Sequence, residues 1–401
     1  MVASRHTLDD ARIVHKEAHS LRAAGHEVTL LFACNDAYQY TRFDGQVIAA
    51  GAGPDGAATH LGFRVVGTPK RRGISGKWRT LHEMSALGAS LEADAYHAHE
   101  PDLALAVALR AKRLLARRGR RALVVHDMHE YPPGETVDVA RGWLKRPAHV
   151  SMVAWDWANA RHVDHVFTAN SIVRGYAQVL ACGTGVDTLY NGPSLRLFPQ
   201  HPPARWPGPG HPLVLCHEGS LGLDRGLREM VEVVDRLRDR VRLRIIGDVF
   251  GPQREWLDQE IRRRHLGEAI TRTGWLPYAE VGDAVRQGHA GLILFRECLT
   301  NMLAGPPNKL FNYMNAGLPV LSVGFPEMRR ILREERCGVV VADQSVEAIV
   351  RGIEELLASP EGLAAMGEAG QRAIRERYSW ECVAPVLLAA YDDLGRRLGG
   401  R

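Results

Sequence analysis

An α/β protein built from two parallel-sheet domains is what this sequence predicts, and three observations carry the prediction. Strand-like apolar runs alternate with amphipathic helical segments along most of the chain, the pattern of parallel sheets covered by helices. One stretch, from Gly192 to Pro212, holds Pro193, Pro199, Pro202, Pro203, Pro207 and Pro209 with Gly208 and Gly210, too dense for a regular helix or strand. At 401 residues the chain is long enough for about two or three domains.

The strand-like runs, in order, are His26–Phe32, Phe63–Val66, Ala122–His126, His165–Thr168, Leu213–His217, Val241–Ile246, Gly291–Phe295, Val320–Val323 and Val339–Val341. Dividing at the proline-rich stretch gives a first domain over 1–195 and an interdomain linker over 196–212. A second domain over 213–380 and a C-terminal helix over 381–401 follow. The start is short: Val2-Ala3-Ser4 reads as the last residues of a strand, with a helix expected from about Asp10. A usual strand needs about five residues, so the first one is truncated or begins upstream of Met1.

The balance of 45% hydrophobic and 24% charged residues is that of a water-soluble globular protein. A net charge of +5 suits an anionic ligand or an anionic membrane face and does not require nucleic acid. The six cysteines, Cys34, Cys182, Cys216, Cys298, Cys337 and Cys382, form no C-x-x-C pair and no zinc spacing, which favours reduced thiols. Neither a signal peptide nor a run of ~20 apolar residues is present, so a cytoplasmic protein is expected.

The segment Pro306-Pro307-Asn308-Lys309-Leu310-Phe311-Asn312-Tyr313-Met314-Asn315-Ala316-Gly317-Leu318-Pro319-Val320 is the richest in signal. Two prolines and a capping Asn308 predict a helix start, and Gly317 its left-handed exit. Lys309 and Asn312 are three apart, hence on one helical face. Exposed N–H groups at a helix start, with a lysine beside them, suit a diphosphate.

A second phosphate candidate is Gly219-Ser220-Leu221-Gly222-Leu223-Asp224-Arg225-Gly226. It links the strand Leu213–His217 to a helix expected over Leu227–Leu237. Glycines allow close backbone approach to a ligand, and Arg225 offers a planar fork for phosphate oxygens. The same turn also reads as an ordinary tight βα connection. Gly247 and Thr273-Gly274-Trp275 end two further strands.

In the first domain, His97-Ala98-His99-Glu100-Pro101-Asp102 follows a short strand, and His126-Asp127-Met128-His129-Glu130-Tyr131 follows another. His99, Asp127, His129 and Glu130 thus gather at neighbouring strand ends. Four such side chains also suggest a metal site, ranked here below metal-independent chemistry. Arg110–Arg121 and Lys70-Arg71-Arg72 are strongly basic. They read as a solvated face, or, with Trp143, Trp155 and Trp157, as a dock on anionic lipid.

The string Lys309-Leu310-Phe311-Asn312-Tyr313-Met314-Asn315-Ala316-Gly317-Leu318-Pro319-Val320 resembles the nucleotide-sugar site of retaining GT-B glycosyltransferases of family 4 (glycosyl transferases group 1). The resemblance implies two Rossmann-like domains facing each other across a cleft, with the C-terminal helix packing back on the first. It implies a donor site of Gly219, Ser220, Arg225, Gly247, Gly274, Trp275, Asn308, Lys309, Leu310 and Asn312. Arg225 and Lys309 would hold the diphosphate, and the loops after Gly247 and Gly274 would frame the nucleoside.

His129 falls where retaining members place a histidine beside the transferred sugar, so the catalytic set would be His129, Arg225 and Lys309. The acceptor side would hold His99, Asp127, Glu130 and Arg12, with Arg12 facing the cleft or pairing with Asp9. No metal and no cofactor is implied. The partners would be a nucleotide-sugar donor and a glycan, lipid-linked or small-molecule acceptor.

Three departures qualify this. Asn312 stands where the family pattern has the ribose-binding glutamate, Ser220 where many members carry an arginine, and Ala304 where the first acid of the Glu-x7-Glu pair would be. They point to one alternative, a non-catalytic partner subunit with a decayed donor site; a second alternative is a GT-B nucleotide-sugar epimerase, which would convert a donor with no acceptor present. An Asn312→Glu variant is expected to help separate these readings, since a decayed site should gain nothing from it.

Overall fold

The computed structural model describes the chain except residues 43–44, 52–56, 101–102, 182, 203–205, 207, 299, 301–302, 304 and 400–401, and it leaves out the side chains of 139 and 278. Pro101, Asp102, Cys182, Pro203, Pro207 and Ala304, all singled out in the sequence, lie outside the described residues. The chain forms two compact units, Met1–Leu189 with Ala384–Arg401, and Tyr190–Val383.

The first unit contains β1 (Val2–Ala3), β2 (Thr29–Cys34), β3 (Gln39–Thr41), β4 (Val47–Ala50), β5 (Ala58–His60), β6 (Phe63–Pro69), β7 (Ala95–His99), β8 (Leu123–Met128), β9 (His165–Thr168) and β10 (Gly185–Thr188). Among the described residues, eight of these form one sheet in the order β10-β9-β8-β7-β1-β2-β6-β5. All its pairs are parallel except β5 on β6. Short as it is, β1 sits centrally: Val2 pairs with Leu31 on one side and Ala98 on the other. Val2 and Ala3 are fully buried there, as side chains sandwiched between helices on both faces must be.

In the second unit, β11 (Leu213–Glu218), β12 (Val241–Ile246), β13 (Ile270–Arg272), β14 (Ala290–Ile293), β15 (Val320–Val323) and β16 (Gly338–Val341) pair in parallel in the order β13-β12-β11-β14-β15-β16. That is the doubly wound arrangement of a dinucleotide-binding domain. Among its parallel strands each sheet switches winding direction at one place, between β1 and β7 in the first unit and between β11 and β14 in the second. Ligands in open parallel sheets bind beyond the strand ends at such reversals.

Several expectations need correction. No regular α-helix starts at Asp10. Its carboxylate instead accepts from the N–H groups of Arg12 and Ile13, and a π-helical stretch, Ile13–Ala18, precedes the short helix His19–Ala23. The division between units falls at Leu189, before the proline-rich stretch. That stretch is tied into the second unit: Trp206 and Phe198 are buried, and Gln200 donates to the Gln371 carbonyl. Among its described residues the stretch holds no helix or strand, yet the chain there is anchored. His97 and His99 lie within β7 rather than after a strand. Trp143, Trp155 and Trp157 are exposed rather than packed.

The last helix, Trp380–Gly399, belongs to the first unit from Ala384 onward. There the Tyr391 hydroxyl sits 3.0 Å from His97 Nδ1.

Candidate active site

In the second unit the strand reversal places the end of β11 beside the end of β14. Gly219 leaves β11 with a left-handed φ of 89°. A Cβ on the neighbouring Gly247 would lie 2.5 Å from the Gly219 carbonyl oxygen, so the two backbones come this close only because residue 247 lacks one.

The helix Asn308–Ala316 follows β14 in the chain and ends on Gly317 at φ 74°, as expected. Its start differs. Pro307 is the N-cap, no side chain caps the helix, and the Asn308 side-chain oxygen accepts from Asn191 Nδ2 instead. Asn308 is therefore the first helical residue, and the orphan N–H groups lack a side-chain cap, which favours an anion there.

Lys309 lies in that first turn. It is only 5% exposed, with Nζ 3.2 Å from His217 Nε2 and 5.3 Å from the Phe295 ring centre. Burial, reinforced by the nearby positive charge of Arg225, pulls its ammonium down to about 7. His217 is held neutral, far below the usual imidazole range, by burial and by Lys309. Arg225 is more exposed and stands over the same Phe295 ring at 5.7 Å, with Nη1 donating to the Ser220 carbonyl at 3.3 Å. Two cations from separate strand ends thus flank one aromatic ring. The other donor-site candidates are exposed or half-exposed surface, Ser220, Gly274 and Trp275, or core, Leu310.

Asn312 points where Lys309 does, as the spacing required. Its Nδ2 donates to Glu218 Oε1 at 2.7 Å. The sequence reading stopped that strand one residue short and missed Glu218. The signal was present: an acid closing an otherwise apolar parallel strand is out of place unless it serves a site. Burial raises the Glu218 carboxyl, with Asn312 and Lys309 opposing, and its Oε2 is buried without a hydrogen-bond partner. Tyr313 fixes the backbone there, its hydroxyl accepting from the Glu218 N–H at 2.7 Å. A carboxylate therefore stands next to position 312, supplied by the strand instead of the helix.

This changes the expectation for Asn312→Glu. A glutamate at 312 would press one carboxyl against another, and like charges that close cannot both ionise. Donor affinity is expected to fall about tenfold, read by titration calorimetry; tighter binding would show that Glu218 does not occupy the place of the absent glutamate.

The first unit brings Arg12, His99, Asp127 and His129 together in two layers, while Glu130 stands beside Glu135. The inner layer is sealed. Arg12 binds Asp127 bidentately at 2.6 and 2.7 Å, approaches Glu17 at 2.9 Å, and donates to the Leu189 carbonyl. Asp9 pairs with Arg42 instead. Burial alone would raise the Asp127 carboxyl, but Arg12 and His129 hold it well below the usual range. Burial pushes the Glu17 carboxyl well up and the His99 imidazole down to about 3. Arg12, His99 and Asp127 are too deeply buried to touch an acceptor, so they position the groups above them.

The outer layer is His129 with His6 and Glu100, two residues the sequence reading did not connect. His129 Nε2 lies 2.9 Å from Asp127 Oδ2 and 3.3 Å from His99 Nδ1, leaving Nδ1 as its outward nitrogen. Glu130 is half-buried beside Glu135, and burial with that neighbour raises its carboxyl to about 8.

Two family models match the chain: Glycosyl transferases group 1 over residues 204–373, and Glycosyl transferase 4-like domain over residues 11–192. The chain is a GT-B glycosyltransferase of the family 4 type. No curated protein sequence matches it, but solved structures share its fold. Sucrose-phosphate synthase from Thermosynechococcus elongatus aligns with a TM-score of 0.73 at 15% identity, covering 99% of this chain and 96% of that one. The catalytic domain of starch synthase IV from Arabidopsis thaliana, bound to ADP and acarbose, gives 0.66 at 12% identity, with 100% and 99% covered. HepE of Anabaena in complex with UDP gives 0.60 at 14% identity, with 82% and 86% covered. The two Rossmann-like units of this glycosyltransferase are thus a fold held at very low sequence identity.

Proposed function

We propose that this glycosyltransferase moves a sugar from a nucleoside diphosphate to an acceptor hydroxyl with retention of anomeric configuration. The observation that carries the donor half is the helix start at Asn308, free of a side-chain cap, with buried Lys309 and, across Phe295, Arg225. Breaking the sugar–phosphate bond leaves growing negative charge on the diphosphate, and these groups lower that barrier without a metal on the phosphates. Glu218, oriented by Asn312, is the acceptor for ribose hydroxyls. Same-face attack, with the leaving phosphate taking the acceptor proton, gives retention without a carboxylate nucleophile. The first unit serves the acceptor, with His129 as its outward histidine, and a glycan, a lipid-linked intermediate or a small molecule are the acceptor classes.

A thermal-shift panel of UDP, ADP, GDP, CDP and dTDP with their sugar conjugates tests this. Solved relatives carry UDP, UDP-glucose or ADP, so these lead. Ligand at 100 times its Kd adds about 2.7 kcal/mol of stability. One nucleotide shifting the melt supports the donor site, while a folded protein that answers none turns the reading to a non-catalytic partner subunit. The Glu218 carboxylate favours the working site. Turnover of a nucleotide sugar with no acceptor present would instead indicate an epimerase.

Donor binding should depend on pH. Lys309 titrates near 7 in the free protein, and only the ammonium attracts phosphate. Affinity for a nucleotide sugar, whose diphosphate does not ionise near neutrality, is expected to fall as pH rises from 6 to 9, with proton uptake on binding above 7. Calorimetry in two buffers measures that uptake; a flat profile would remove Lys309 from the diphosphate.

The protein is read as cytoplasmic, with peripheral contact to anionic lipid through the first unit. Trp143 is exposed there beside exposed Arg141, Lys145 and Arg146, and Trp157, also exposed, lies under the Arg161 guanidinium. Among the described residues no helix is long and apolar enough to cross a membrane. Co-sedimentation with phosphatidylglycerol vesicles, lost in Trp143→Ser, checks the contact.

A further inference from the structure

His217 stands one residue before Glu218 on β11 and is fully buried. Leu213 and Leu215, on the same face of the strand by its period of two, belong to the apolar core, where a histidine needs polar partners. Its Nε2 meets two groups. Lys309 Nζ lies 3.2 Å away and the Ser220 carbonyl oxygen 3.4 Å away. Nδ1 is buried without a hydrogen-bond partner. The Ser220 carbonyl is also the acceptor for Arg225 Nη1, so one imidazole touches both the lysine and the group that holds the arginine.

One nitrogen cannot donate to Ser220 and accept from Lys309 at once. When Lys309 is an ammonium, Nε2 is bare and accepts, and the ring proton sits on Nδ1. When Lys309 is an amine, Nε2–H donates to the Ser220 carbonyl. The ring is neutral in both states, because burial and the lysine charge oppose a second proton. A carboxylate in this place would also accept from the ammonium, but it would cancel the charge that the phosphates are to meet. A neutral acceptor aims the ammonium and leaves its charge whole, as preorganised stabilisation of a developing anion requires. An ammonium has three N–H donors. His217 takes one, and the Phe295 ring faces the cation at 5.3 Å, which leaves donors for phosphate oxygens.

We propose, on the strength of the donor site described above, that His217 positions Lys309 for the diphosphate, accepting from the ammonium at Nε2 while its own ring proton shifts from Nε2 to Nδ1. The ring gains and loses nothing in this step, and the proton that charges Lys309 comes from solvent. The other charged groups facing the lysine are Arg225 and Asp224 from the loop after β11 and Glu218 from β11 itself. Arg225 opposes the ammonium and the two acids favour it. All three remain when the imidazole is removed, so the change in the lysine's titration reports His217.

The test compares the full-length wild type with His217→Phe, which fills the space without an acceptor, and His217→Gln, whose amide offers an acceptor to Lys309 and a donor to Ser220. Protein labelled with ¹³C-lysine, its Lys309 signal assigned by absence in Lys309→Arg, gives the titration midpoint by NMR with no ligand present. The midpoint of about 7 is expected to fall by about one pH unit in His217→Phe, from the loss of one hydrogen bond to the charged form. It should return in His217→Gln. Nucleotide-sugar affinity in the phenylalanine variant should then be about tenfold below wild type at pH 8 and within about twofold of it at pH 6, in a protein whose thermal melt shows it folded. His217→Leu replaces the phenylalanine variant if that one does not fold. An unmoved midpoint, a loss of affinity equal at both pH values, or no recovery with glutamine overturns the proposal; a packing role alone gives the second of these. A midpoint that moves as expected, in a chain whose wild type binds no nucleotide sugar, overturns instead the donor site on which the role rests.

Discussion

Lys309→Ala is expected to lower kcat/KM about 10²- to 10³-fold, or about 2.7–4 kcal/mol of transition-state stabilisation, in a protein that still folds. The ammonium is at a helix start and nearly buried, where a charge acts on developing phosphate negativity with little screening from water. Folding should survive because burial disfavours the charged form. A lysine whose folded pKa is pulled from 10.5 to about 7 makes the folded state bind fewer protons than the unfolded one between those values. Its linked contribution therefore improves as pH rises from 7 toward 10.5 and is unfavourable below 7. The alanine variant should lose that pH dependence and melt at or above the wild-type temperature near pH 7. Steady-state kinetics with a saturating acceptor, run beside thermal melts, reads both quantities. Normal turnover in the folded variant would exclude Lys309 from the site.

Asp127→Ala should act in the opposite way, destabilising the first unit by about 3–5 kcal/mol. Arg12 and Asp127 are both almost fully buried, and their two short hydrogen bonds compensate for two desolvated charges. Removing the carboxylate leaves the buried guanidinium with Glu17, whose carboxyl burial pushes well up, as its remaining acidic partner. Asp127→Asn keeps one acceptor and should cost less. Urea unfolding followed by tryptophan fluorescence measures this. A variant as stable as the wild type would mean that water or Glu17 compensates Arg12, and Asp127 could then be reconsidered as an acceptor contact.

The same pair shows why the sequence under-read the first unit. His99, Asp127, His129 and Glu130 were recognisable as polar residues at the ends of apolar runs, because a parallel sheet exposes its ligands there. Their ranking by depth was not visible. His99 and Asp127 differ from His129 only in how neighbouring elements cover them, and Arg12 reaches Asp127 across 115 positions of chain. His6 carried no motif, and Glu100, though part of the string from His97, was not linked to it, since their meeting depends on β1 and β7 being adjacent. In the second unit, Lys309 and Asn312 were legible because helical periodicity is local. Glu218 was not, because its contact with Asn312 joins a strand and a helix 94 residues apart.

The sequence by itself determined the elements and their class. Alternation of apolar runs called for parallel sheets, Gly317 ended its helix, and the Lys309–Asn312 spacing chose a face. These follow from backbone geometry and periodicity within a few residues. Only the tertiary structure decided where the units divide, that the proline-rich stretch is anchored rather than free, and which carboxylates are charged. Those outcomes rest on burial and on pairs distant in the chain. Desolvation can move a lysine to neutrality or raise a carboxyl such as Glu218 only after the fold has chosen what surrounds it.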